Sequence, residues 1–444
     1  MTPPLSRPNL AAAGRDSAAA PVRIVHFGLG AFHRAHQAWY TQHARDRDQW
    51  GIAAFTGRSD RNARLLDAQD GLYTLVRRGA GGDTSEVVTS IVQARPGSDL
   101  PALIAAFSRP ELAIATITVT ERGYRLAWDG GLDREDAGLT ADLAGLASEP
   151  FGGFAPTTLL GRLLLGLDAR RRARLPGIAV VPCDNVPDNG RFLSTGLLQA
   201  AAEVDTGLAA WISAEVSFVS TSVDRITPRT TAADVAAVNR DAPFQDAAPV
   251  ITEPFTDWVL SGDFPAGRPC WEDAGARFTA DIEPWERRKL WMLNGAHTML
   301  ANGGLALGHE TVAGAMGDPR LREMVDALWD EAAAQLPAEV EPPAYAEQLR
   351  TRFANPRIEH RLAQIAADSA AKLKLRIIPV AVAERAAGRP AGACAFAVAC
   401  WAAASVVGDV ETAVHALSPV LAADGGFVDA VRRGLDELGR RGAA

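Results

Sequence analysis

A β-branched apolar run, VRIVHF, stops at a glycine turn, Gly28–Gly30, and the residues beyond it change period. Val22 to Phe27 reads as a buried strand. In AFHRAHQAWYTQHARD, which follows, Phe32, His36, Trp39, Tyr40 and His43 can share one side of a helix. WGIAAFTG, Trp50 to Gly57, reads as a second strand. Strand, glycine turn, helix, strand is the opening of a dinucleotide-binding unit. A GxG after a strand permits a tight turn and lets a pyrophosphate approach backbone N–H groups. His33 stands where a third glycine is usual, so by pattern alone a nucleotide site and a plain glycine turn stay equally open. The second strand ends without the acid that would grip an adenosine ribose, because Gly57, Arg58 and Ser59 stand there. Arg58 is then either a grip for a 2′-phosphate or a solvated loop residue.

Further strand candidates are Leu72–Arg78, Leu112–Thr120, Gly177–Cys183 and Ala214–Val223, with helical patterns between several of them, notably Leu159 to Ala173. That alternation predicts an α/β sheet, mostly parallel. After about Asp281 helix follows helix, rich in Ala and Leu. The expected organisation is a loose, disordered tail over 1–20, a Rossmann-type α/β domain over 21–278 and a mainly α-helical domain over 279–444. A chain of 444 residues accommodates two domains and their cores. A net charge of −8 weighs against nucleic acid or an anionic membrane as the main partner. The four cysteines form no CxxC pair, which suits a reducing compartment. The first twenty residues lack the pattern of a signal peptide, and no apolar run reaches the roughly 18 residues of a membrane span. A cytoplasmic protein is expected.

Of 45 lysines and arginines only three are lysines, Lys289, Lys372 and Lys374. Arginine cannot lose its proton in a protein, whereas lysine can, so a lysine kept in such a chain suggests a need for an amine. Lys289 lies in ERRKLWMLNGAHTML, before Asn294 and His297. On an α-helix of about 100° per residue, Asn294 falls roughly 140° and His297 roughly 80° from Lys289, within one broad face. An amine, a carboxamide and an imidazole there make either a polar site or a wet helix face. CDNVPDNG, Cys183 to Gly190, follows a strand where α/β sheets usually build their sites, although Asx turns explain such residues equally well. VDRITP, Val223 to Pro228, places Asp224 after another strand. Lys372 and Lys374 lie in HRLAQIAADSAAKLKLR, either as a substrate anchor or as a solvated basic face. His33 and His36 lack a convincingly spaced third ligand, so no metal site is expected.

Together these stretches resemble the polyol-specific long-chain dehydrogenases, the family of mannitol 2-dehydrogenase and fructuronate reductase. The matching segments are GLGAFHRAHQAWY, QDGLYTLVRR, TVTERGY, CDNVPDNG, VDRITP, EPFTDWVL with GRPCWEDAGA, KLWMLNGAHTMLA and RFANPRIEHRLAQIAAD, in family order over nearly the whole chain. The resemblance implies a zinc-independent, NAD(P)-dependent oxidoreductase acting on the CH–OH group of a polyol or the matching ketose. Mannitol and fructose lead, with D-mannonate and D-fructuronate, arabinitol or a mannitol 1-phosphate as alternatives. NAD is the implied cofactor, with NADP open. The implied catalytic residues are Lys289 as general base, Asn185 and Asn294 as donors to the developing alkoxide, His297 as an orienting group and Asp224 as a positioning group. Phe27, Gly28, Leu29, Gly30, Ala31, Phe32, Arg58, Glu121 and Asp184 are the implied cofactor contacts, and Lys372 and Arg376 the substrate contacts. A monomer is implied. The chain departs from the family at Trp291, which replaces a basic residue, and at Ser369, Ala370 and Lys374 in the substrate-binding helix. Lys374 and Arg376 would suit a carboxylate.

Overall fold

The run Val22–Phe27 becomes the third strand across a six-stranded sheet. The computed structural model describes residues 2–149, 151–240, 242–404 and 409–439, and it divides into two units, Met1–Ile282 and Glu283–Ala444. The strands of the first unit, in chain order, are β1 (Val22–Phe27), β2 (Gly51–Phe55), β3 (Tyr73–Gly79), β4 (Gly82–Val88), β5 (Ile91–Arg95), β6 (Ile114–Ile117), β7 (Ala179–Pro182), β8 (Ser217–Phe218), β9 (Ser220–Asp224), β10 (Val250–Thr252), β11 (Asp257–Ser261) and β12 (Arg277–Phe278). The large sheet is parallel throughout and ordered β5-β2-β1-β6-β7-β8. Counted along the chain, its six strands lie 3-2-1-4-5-6, so the order reverses between β1 and β6.

Central strands covered on both faces need apolar residues in succession, not in alternation. β2, β6 and β7 are buried at every position. Along β1, Val25 and Phe27 join one core with Phe107, Leu163 and Leu193, while Ile24 joins the other with Trp39, Tyr73 and Trp258. Two small sheets flank the second face, β10-β3-β4 and β12-β11-β9.

The structure alters three expectations. Ala214–Val223 is not one strand. Ser217–Phe218 closes the large sheet, Val219 is fully buried at the switch, and Ser220–Asp224 pairs antiparallel with β11. Leu72–Arg78 yields β3, which belongs to a small sheet and not to the dinucleotide-binding one. Residues 2–20 are not a loose tail. Ser6 caps a helix, Arg7–Ala12, and Leu5 and Leu10 are buried against Leu72 and Phe244. The Arg7 guanidinium donates to the carbonyls of Ser17, Ala18, Thr89 and Ile91. With its Nε donating to the Asp70 carbonyl as well, one arginine satisfies five carbonyls and orders a segment too short of apolar residues to show a period.

The second unit is helical among its described residues. Its central helix, Gly295–Ala306, is buried at ten successive positions, Gly295 to Gly304. Small residues allow that burial. A Cβ at Gly303 would crowd Cys400 and Leu321. Among the described residues no helix is long and apolar enough to cross a membrane.

Arg7→Ala should lower the stability of the first unit by about 2 kcal/mol, the scale of hydrogen bonds from a charged donor. Urea denaturation of the full chain, read by tryptophan fluorescence, checks this, and removal of Thr2 and Pro3 should cost much less.

Candidate active site

The glycine turn sits at the carboxyl end of β1, where the sheet order reverses. Gly28 has φ +105°, and a Cβ there would overlap the Thr118 carbonyl. Only glycine meets both demands. The N–H groups of Gly28 and Leu29 donate to the Phe55 carbonyl at 2.9 and 3.0 Å, and Asn62 donates to the Leu29 carbonyl at 3.0 Å. Among the described residues no backbone carbonyl accepts from the N–H groups of Gly30, Ala31 and Phe32. That donor set fits a pyrophosphate. Phe27 and Leu29 are buried, so their side chains pack and only their backbone faces the turn. The histidines of the HRAH stretch are structural. His33 stacks on His26, and His36 bonds the Asp257 carbonyl at 3.0 Å. Arg34, also buried, donates to the Ala248 and Gly30 carbonyls. Arg58 and Glu121 are exposed.

The loop after β7 holds itself rigid. Asp184 is buried, accepts from the Tyr124 hydroxyl and from the Val186 N–H at 2.8 Å, and its carboxyl is pushed up by burial. Its carboxylate is therefore spent inside the turn. Asn189 exchanges hydrogen bonds with the Thr221 backbone, tying the loop to β9. Asn185, between them, stays exposed at the tip, and Asp224 ends β9 half-buried.

In the second unit the structure departs from an α-helix at the decisive place. Lys289–Asn294 is a π-helical segment between two α-helices, Glu283–Arg288 and Gly295–Ala306. Its i→i+5 winding brings residues five apart onto one side. Lys289 and Asn294 are five apart, so they lie closer in angle than an α-helix would place them. Wide winding disturbs the backbone ladder, and Trp329 compensates with an indole N–H to the Met292 carbonyl at 3.0 Å. Arg288, buried, braces the same segment by donating to the Val340 carbonyl and lying over the Tyr345 ring at 4.1 Å. Neither Trp329 nor Arg288 was singled out from sequence. Both are ordinary aromatic and basic residues until the π segment shows what they hold.

His297 lies one turn beyond Asn294 and is only 7% exposed. Its ring stacks on Phe353 at 4.6 Å and meets His360 edge-on at 4.8 Å. Its Nε2 has no hydrogen-bond partner. Burial, then the cations around it, hold it well below the usual histidine range, so it is a neutral imidazole near pH 7. Arg376 reaches the same turn, donating to the Thr298 hydroxyl at 3.1 Å and the Asn294 carbonyl at 3.4 Å. Its buried Nε lacks a partner, and burial alone pulls it down to about 10. Among the described residues no carboxylate acts on it against that burial. The expected basic cluster is thus divided. The Lys372 amine donates to the Ile365 and Ala367 carbonyls, and Lys374 is exposed. Two residues apart, Lys374 and Arg376 point to opposite sides of their helix. Ser369, a family departure, accepts from Asn302 at 3.0 Å and so secures that helix to the central one.

A Mannitol dehydrogenase Rossmann domain model matches residues 22–273, and a Mannitol dehydrogenase C-terminal domain model matches residues 281–414. The chain belongs to the mannitol dehydrogenase family, oxidoreductases acting on CH–OH groups. It is 36% identical to D-mannonate oxidoreductase of Escherichia coli (strain K12), over 84% of this chain and 77% of that one. It is also 36% identical to D-arabinitol 4-dehydrogenase of Ralstonia nicotianae, over 82% and 78%. Its fold matches Pseudomonas fluorescens mannitol 2-dehydrogenase in a ternary complex with NAD and D-mannitol at a TM-score of 0.76. That match has 31% identity and covers 95% of this chain and 92% of the other.

Three buried histidines make a pH prediction. Burial lowers His26 to about 3 and holds His33 and His297 well below 6.5. The unfolded chain binds these protons near 6.5 and the folded chain does not, so stability present above pH 6.5 falls as the pH drops toward 3. Each histidine contributes a slope of up to about 1.4 kcal/mol per pH unit. His33→Phe, which keeps a ring for stacking, should reduce the slope between pH 6 and 5 by one histidine's share in urea titrations.

Proposed function

We propose that the protein is an NAD-dependent reductase of an acyclic keto sugar acid, interconverting a pair such as D-fructuronate and D-mannonate. The observation that carries this reading is Arg376, a half-buried guanidinium without a carboxylate partner beside the Asn294–His297 turn. Its Nε is buried without a partner, and the hydroxyl and carbonyl that its Nη1 reaches carry no charge to balance it. A substrate carboxylate would do so, with the bidentate geometry that guanidinium favours. The 36% identity to D-mannonate oxidoreductase accords with this choice without deciding it, since D-arabinitol 4-dehydrogenase is equally identical. A second reading, a neutral polyol such as mannitol made from fructose, is favoured by the NAD and D-mannitol complex of the 31% identical relative. That complex also supports NAD, and the exposed Arg58 places NADP in the same tests.

Bound nicotinamide supplies the hydride chemistry. Lys289 holds the proton that the carbonyl oxygen takes up on reduction, and removes it on oxidation as a neutral amine. The Asn294 amide donates to the oxygen as charge develops there. His297, neutral and with its Nε2 uncommitted, orients the reacting oxygen or a neighbouring hydroxyl. Asn185 and Asp224 keep the donor and positioning roles that the resemblance implies.

Lys289→Ala should lower kcat by about a thousandfold, with cofactor affinity retained. Activity near that of the unaltered enzyme would refute the base assignment. Arg376→Leu should lower kcat/KM for fructuronate by about 100-fold and that for fructose by much less. Equal losses on both substrates would rule out a carboxylate at Arg376.

A further inference from the structure

His26 sits on β1 directly beneath the glycine turn, fully buried. Its register partner on β6 is Thr116. The ring bonds two hydroxyls, Thr116 Oγ1 at 2.8 Å through Nδ1 and Thr118 Oγ1 at 3.0 Å through Nε2. Thr118 Oγ1 donates in turn to the Gly28 carbonyl at 2.8 Å. A hydroxyl has one proton, and that proton is committed to Gly28. Nε2 therefore carries the histidine proton and donates to Thr118, while Nδ1 is bare and accepts from Thr116. The chain of bonds runs in one direction, from His26 to the carbonyl of the first glycine.

His26 reaches the other rim of the turn through its ring face. His33 lies parallel on it, with centroids 3.3 Å apart and planes within 10°. His33 belongs to the helix Ala31–Ala35, which begins directly after Gly30. The His33 nitrogens make no close hydrogen bond, and the stack on His26 holds one whole face of that ring. A third glycine at this position normally allows close packing of helix on strand. Here two flat rings in contact supply that closeness, which is why a histidine is tolerated there.

We propose that His26 is a positioning residue for the dinucleotide. It fixes the Gly28–Gly30 turn from below, through Thr118 to the Gly28 carbonyl and through the His33 ring to the helix that follows. This rests on the reading that the turn holds the nicotinamide dinucleotide. His26 touches neither cofactor nor substrate in this account. Its effect runs only through the turn, so it should govern cofactor affinity and leave the handling of the ketose alone.

The test uses the full-length enzyme with His26→Leu, His26→Gln and Thr118→Val. NADH affinity is measured by fluorescence titration, and KM is measured separately for NADH and for the ketose. His26→Leu should weaken NADH binding about tenfold, and Thr118→Val similarly, the scale of losing a hydrogen bond and leaving its partner unmet. Gln carries a donor close to the Nε2 position and should restore most of the affinity. The ketose KM and the kcat at saturating NADH should stay within about twofold, since one lost bond beneath the turn leaves the chemistry in place. Unchanged NADH affinity in both His26→Leu and Thr118→Val overturns the assignment. So does an equal rise in both KM values, which is the mark of general damage. If His26→Leu does not fold, Thr118→Val decides alone. An unaltered protein that binds neither NADH nor NADPH would remove the nucleotide reading itself, and this assignment with it.

Discussion

Gly28 and the Thr118 carbonyl approach so closely that no side chain fits between them, and the first unit is arranged around that contact. It lies where β1 and β6 run side by side and the sheet order reverses. Polar groups buried at such a point must be satisfied, because an unmet donor or acceptor costs about 1–3 kcal/mol. Thr118 and His26 meet that requirement from the sheet side, Asn62 from the helix side, and the Phe55 carbonyl from the neighbouring strand. Arg34 and Arg225 then tie the helix after the turn to the small sheets, through the Ala248, Glu253 and Ala35 carbonyls. The long stretch from Gly28 to Tyr40 is thus one mechanical piece, and its histidines and arginine are brackets instead of ligands.

The second unit follows a different principle. There the backbone itself is irregular, wound wide over Lys289–Asn294, and the departure coincides with the residues proposed for proton transfer and alkoxide stabilisation. Trp329 and Arg288 absorb the irregularity. Beside it stand polar groups with open valences, the His297 Nε2 and the Arg376 Nε. Native proteins leave few buried polar groups unmet, and each one calls for a physical account such as strain, a bound water or a catalytic role. An imidazole kept neutral by burial and a guanidinium without a carboxylate partner are the two observations on which the keto-acid proposal rests.

Much of this was legible in the sequence. The β1 run and its glycine turn follow from period, because burial on both faces leaves a direct mark. The π segment left none, since KLWMLN satisfies an α-helical pattern equally well and only tertiary support from Trp329 selects the wider winding. Residues 2–12 escaped because Arg7 orders them through carbonyls that no pattern announces. The run Ala214–Val223 divided between two sheets because strand period is blind to partners. Asp184 entered through the resemblance as a cofactor contact, and the structure shows it buried, accepting from the Tyr124 hydroxyl and the Val186 N–H. Lys374 and Arg376 looked like one basic cluster, and two residues of helix set them on opposite sides.

The most direct measurement is nicotinamide oxidation by the unaltered enzyme with fructuronate and with fructose under identical conditions, comparing kcat/KM. If Arg376 awaits a carboxylate, fructuronate should be preferred by about 100-fold or more, as expected when a site is left with an unpaired buried group by the wrong substrate. A preference for fructose, or equal rates on the two, would contradict the account and return Arg376 to a purely structural role.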